Sequence, residues 1–138
     1  PEMPFADLFV AWLQTGKAAV ISHDSALAVY GLSDVLPGEI HVTVPRTASR
    51  RHEDIRLHTN RLTADEITRR AGLPVTTVPR TIADVITSGL GEEQIHQAIR
   101  EAIERGLVTE KTLTSYATRR SGRVARVVSR ALFREQAA

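Results

Sequence analysis

The sequence predicts an α+β fold: a small mixed or antiparallel sheet with packed helices, followed by a helical C-terminal half. Two short segments alternate apolar and polar residues, Ile40–Val44 and Ile55–His58, which is the period of a half-buried strand. From Pro79 onward, apolar residues recur at helical spacing between glycine and proline stops. At 138 residues the chain is one domain by size and long enough for a hydrophobic core. Within it, residues 1–78 form the α+β part and residues 79–138 the helical part.

Each element has its own signal. Pro4 suits a first helical turn, and Phe5, Leu8, Phe9, Trp12 and Leu13 form one stripe that ends at Gly16. Three of the six aromatic residues lie in that stripe, so it reads as packed against the core. Ala18–Ile21 is a short apolar run. Ser22 then reads as an N-cap, with His23 and Asp24 in the first turn and Ala26, Leu27 and Tyr30 continuing to Gly31. Pro37-Gly38 marks a turn. The strands at Ile40–Val44 and Ile55–His58 read as a hairpin around the basic loop Arg46–His52. A second hairpin joins Ile67–Arg70 to Leu73–Thr77 through Ala71-Gly72, with Pro74 placing its strand at an edge or shortening it. Ile82, Val85 and Ile86 face inward on a helix from Pro79 to Gly89. Ile95, Ala98, Ile99, Ala102 and Ile103 do so on the next, which Gly106 stops. Thr109 caps a third helix carrying Leu113, Tyr116 and Ala117. The last begins near Ser121-Gly122, with Val124, Val127, Val128, Ala131 and Leu132 on its apolar side.

Composition narrows the class of protein. Hydrophobic residues make up 42% and charged residues 25%, a globular balance. Without cysteine there is no disulfide framework and no cysteine metal site. No long uncharged apolar run offers a membrane span, and no basic-then-apolar leader opens the chain. A cytoplasmic protein is expected. The start Pro1-Glu2-Met3-Pro4, directly before a helix, reads as the beginning of a fragment. Charge is polarised: six arginines stand against one glutamate after residue 118, a net of +5, leaving −3 for residues 1–118. The basic end suits an anionic partner such as nucleic acid, or else is a solvated helix face. The candidate phosphate contacts are Arg46, Arg50 and Arg51 in the first loop and Arg119, Arg120, Arg123, Arg126, Arg130 and Arg134 at the end.

No catalytic, cofactor-binding or metal-binding residue is expected. Phosphate-loop, serine-elbow and cysteine-nucleophile patterns are missing. His41 and His58 share a sheet face, which makes a metal site conceivable, but two histidines without a suitably spaced carboxylate read as a solvated face. Ser22-His23-Asp24 holds triad residue types, but adjacent residues do not converge as a triad does, and capping explains them. The stretch from Glu93 to Arg120 resembles a helix-turn-helix only superficially and reads as a structural αα-hairpin.

An ordered set of segments carries a resemblance. These are Ala19–Leu32, Ile40–Pro45, Ile55–His58, Leu73–Asp84 and Ala102–Val108, which are spread along residues 18–110. The set resembles AbiEi-type antitoxins and related transcriptional regulators. The resemblance implies a non-enzymatic antitoxin domain of a type IV toxin–antitoxin pair. Its cognate toxin would be a nucleotidyltransferase-like protein encoded beside it, and the pair would act in phage defence by abortive infection. In that family an N-terminal winged helix binds operator DNA and represses the operon. This sequence carries no such segment, so operator DNA is expected to be bound mainly through a domain outside it. The alternative reading is a DNA-binding or assembly domain of a transcriptional regulator without toxin control.

Overall fold

The computed structural model describes residues 4–33, 38–46 and 53–137. Its architecture is α+β: among those residues a five-stranded mixed sheet and six α-helices. The chain divides into two compact units, Pro1–Thr77 and Val78–Ala138.

The first unit contains α1 (Ala6–Thr15), β1 (Val20–Ile21), α2 (His23–Tyr30), β2 (Ile40–Val44), β3 (Ile55–Thr59), β4 (Ile67–Arg70) and β5 (Leu73–Thr76), in the sheet order β3-β2-β1-β5-β4. The apolar run before Ser22 supplies the central strand. Val20 and Ile21 pair antiparallel with Thr43 and Val42, and Ile21 also pairs parallel with Val75. Ile21, Val42 and Val75 are fully buried, which is why a two-residue strand holds the middle of the sheet. Tyr30 fastens α2 to β5 by donating to the Thr76 carbonyl at 2.8 Å.

One expectation about the strands is corrected. β2 and β3 are not a hairpin but run parallel, with Ile40 opposite Ile55 and Val44 opposite Thr59. Alternation reports which side chains share a face; strand direction depends on the connection. Residues 45–54 are long enough to return the chain, since ten residues reach about 33 Å and a five-residue strand spans about 17 Å. Pro74 does not mark an edge, because β5 lies between β1 and β4, although the strand is short. Its contact with β1 runs through Val75, so the missing proline N–H costs little there. The β4–β5 hairpin is as expected, with Arg70 opposite Leu73. Ala71 and Gly72 both have positive φ (54° and 82°), the backbone of a two-residue turn that matches strand twist. A side chain at Gly72 would also meet the Phe9 ring, 3.3 Å away.

The α1 stripe packs less completely than expected. Leu8 and Ala11 are buried and Phe5, Phe9 and Trp12 half-buried, but Leu13 is 73% exposed and Val10 53%. A ten-residue helix against the ends of β1 and β2 covers only part of a stripe that wide.

The second unit is four helices: α3 (Val78–Ser88), α4 (Glu92–Glu104), α5 (Glu110–Arg120) and α6 (Gly122–Ala137). α3 is in contact with the other three and is buried continuously from Arg80 to Ile86. Its end and that of α4 follow one pattern. Leu90 N donates to Val85 O and Leu107 N to Ala102 O, each with a left-handed glycine before it, Gly89 and Gly106. Thr109 Oγ1 accepts from Thr112 N at 3.1 Å, the cap expected of it, and Ser121 Oγ accepts from Val124 N at 3.1 Å at the start of the last helix. The αα-hairpin of α4 and α5 is corrected. α5 has α6 and α3 as its main neighbours, and α4 has α3 and α6. Among the described residues no helix is long and apolar enough to cross a membrane.

Candidate functional site

The basic end of the chain separates into two groups of arginines. Arg119 and Arg120 close α5, where positive charge suits the helix C-terminus. Arg123 and Arg126 open α6, which has no acid in its first turn. Positive side chains at a positive helix end oppose the usual preference, so local helix stability does not explain them. Arg126 folds back over Gly122, where its Nη1 lies 3.1 Å from the position a Cβ would take. All four are exposed, and no ion pair engages them among the described residues. The other two are held by α4. Arg130 Nη1 is 3.1 Å from Glu92 Oε1, and Arg134 Nη1 is 3.0 Å from Glu93 Oε1 and donates to His96 Nδ1. Burial, then the Arg134 charge, pushes the His96 pKa down, so the imidazole is neutral and accepts there. Arg46 is exposed just after β2. Arg50 and Arg51, with His52, lie outside the described residues.

The first unit holds a cluster that the sequence reading assembled only in part. His41 and His58 do share a face: the parallel register sets Thr43 opposite His58, so the two histidines are diagonal neighbours. They are not on a solvated face. Both are half-buried, and His41 Nδ1 lies 2.9 Å from His58 Nε2, an N–H···N hydrogen bond between neutral rings. His23 covers them from α2, its ring stacked on His58 with centroids 3.6 Å apart and planes 11° from parallel. His23 is buried at the start of α2 with φ 53°, a left-handed backbone that swings its ring onto the sheet. Ser22 occupies the N-cap position, but its hydroxyl makes no cap bond. Its Oγ accepts from Thr43 Oγ1 at 2.6 Å and meets His23 Nδ1 at 2.8 Å, which corrects the capping role expected of this side chain. A third histidine over a sheet pair was not readable, because where α2 lands on the sheet is a tertiary fact.

Burial, followed by the His41 and Arg56 charges, pushes the His58 pKa down to about 4. Burial also lowers that of His41, against the raising effect of Asp24. His41 and His58 are therefore uncharged at neutral pH. Near-parallel stacked rings direct their nitrogen lone pairs alongside one another rather than onto a common point. Among the described residues no group of three histidine, cysteine or acidic side chains is arranged to hold a metal ion. Ser22, although it touches His23, is fully buried and offers no route to a substrate. The cluster joins α2, β2 and β3 rather than presenting a nucleophile.

The chain matches no known protein family profile and no curated protein. The α5–α6 corner is thus described by its own chemistry. Four exposed guanidinium groups stand around the end of one helix and the start of the next, an arrangement suited to phosphate oxygens.

Proposed function

We propose that this chain is the antitoxin domain of a type IV toxin–antitoxin pair of the AbiEi type. It counteracts a nucleotidyltransferase-like toxin and contributes to repression of their operon together with a DNA-binding domain. It acts in the cytoplasm and performs no catalysis. The observation that carries the reading is the ordered set of segments from Ala19 to Val108, whose order and spacing resemble that family. In the first unit these segments build α2, the central strands and the histidine cluster, the parts on which its core depends.

The second reading, a DNA-binding or assembly domain without toxin control, is favoured by one observation: the exposed arginines Arg119, Arg120, Arg123 and Arg126, which no ion pair engages among the described residues. Such contacts give affinity and position but no sequence choice. Titration of the chain against promoter and scrambled duplexes at two salt concentrations tests the regulatory half. The expected result is weak, strongly salt-dependent binding, with dissociation constants of roughly 10⁻⁴ to 10⁻⁶ M for both duplexes. Alanine at the four free arginines removes most of it, and alanine at Arg130 and Arg134 removes less. Preference for the promoter by about a thousandfold or more would make this chain itself the sequence reader. Growth rescue on co-expression with the nucleotidyltransferase-like protein tests the antitoxin half.

A further inference from the structure

The cleft between α4 and α6 has the make-up of an anion site. Glu93, His96, Gln97 and Arg100 fall at i, i+3, i+4 and i+7, so they line one face of α4. Arg134 faces them from α6, and the cleft encloses about 290 Å³. Ala131, one turn before Arg134 and 5% exposed, leaves that space open where a larger side chain would fill it. Arg100 is exposed and has no ion-pair partner among the described residues. The single acid of the lining, Glu93, is 82% exposed and held only by Arg134 at 3.0 Å. An exposed pair of this kind is worth little and exchanges readily.

His96 supplies the second observation. It is 7% exposed, its Nδ1 accepts from Arg134, and its buried Nε2 has no hydrogen-bond partner among the described residues. Glu92 Oε1 stays 3.6 Å from that nitrogen, too far for a hydrogen bond. A buried polar group without a partner is costly, and an incoming oxyanion brings acceptor oxygens. The charged groups facing His96 are Glu92 and Glu93 from α4 and Arg130 and Arg134 from α6. An anion that draws the Arg134 guanidinium toward itself relieves the repulsion that disfavours imidazolium.

We propose that this cleft binds a phosphomonoester group, with Arg100 and Arg134 gripping its oxygens, Gln97 beside them and His96 taking up a proton on binding. Two guanidinium groups and a protonated imidazole against one carboxylate leave a net +2, which matches a phosphate dianion better than the single charge of a backbone diester. The volume suits the phosphate group itself and falls just below that of ordinary small-molecule pockets. A free phosphate and the terminal phosphate of a nucleic acid present the same chemistry.

NMR titration of the whole chain with inorganic phosphate, a 5′-phosphorylated oligonucleotide and its dephosphorylated counterpart tests this. The two phosphate-bearing probes are expected to compete for one site and to raise the His96 pKa, while the dephosphorylated strand leaves His96 unchanged. Competition without end preference for the oligonucleotide assigns the site to free phosphate; tighter binding of the phosphorylated strand assigns it to a nucleic-acid end. Arg100→Gln should weaken phosphate binding about tenfold or more, as loss of a charged hydrogen bond does. Glu93→Gln should tighten it by removing the competing carboxylate, a gain that a purely structural ion pair does not predict. An unmoved His96, equal binding of the dephosphorylated strand, or affinities unchanged in both variants would overturn the proposal.

Discussion

Arg80 is fully buried, with its Nε 2.9 Å from Asp84 Oδ1 one helical turn along α3. A buried guanidinium is tolerable only while its charge is matched. Asp84→Asn should therefore cost about 3–5 kcal/mol in denaturant unfolding, with the slope unchanged. A loss below about 1 kcal/mol would mean that other groups carry the charge. His58 makes a second prediction at this scale. Its pKa falls from an ordinary 6.5 to about 4 in the folded chain. Between those values the unfolded state binds more protons than the folded state, so stability rises with pH across that window and is lost as pH drops through it. His58 is only half-buried, so solvent screening keeps the loss well below the full worth of that shift. His58→Phe, which keeps a ring in the stack, should make the loss of stability between pH 6.5 and 4 shallower, with His41 and His96 still contributing. The same acid slope in that variant would place the titration elsewhere.

At the scale of elements, α1 gives a contrast within one helix. Leu8 is 5% exposed and Leu13 73%. Leu8→Ala should cost about 2–4 kcal/mol, whereas Leu13→Ala should stay within about 0.5 kcal/mol. Equal losses in thermal unfolding would show that the outer face of α1 is covered. Sequence reading treated both leucines alike, because a helical stripe reports direction but not how much surface lies opposite. The same limit explains the strands. Alternation in Ile40–Val44 and Ile55–His58 gave the shared face of His41 and His58, while their parallel pairing depended on a connection that carries no periodic signal. β1 escaped as a strand because two residues are too short to show a period. The helices were legible for a local reason: Pro79, Gly89, Gly106, Thr109 and Ser121 each act on the backbone within one turn. The split of the arginine stripe was not legible, since Glu92 and Glu93 lie far from Arg130 and Arg134 in sequence and meet them only when α4 packs on α6.

The whole molecule combines a sheet unit that holds a stacked histidine cluster with a helical unit whose exposed edge is cationic. The basic edge supplies positive charge suited to phosphate oxygens. We propose that this division serves a regulator that controls a partner protein. The most direct measurement of that proposal is growth of cells expressing a nucleotidyltransferase-like toxin of the proposed pair, with and without this chain supplied in trans. The account predicts that the chain restores growth, and that it still does so with Arg119, Arg120, Arg123 and Arg126 all changed to alanine, because toxin control and phosphate contact are separate functions. Growth arrest that persists although the folded chain accumulates in the cell would contradict it.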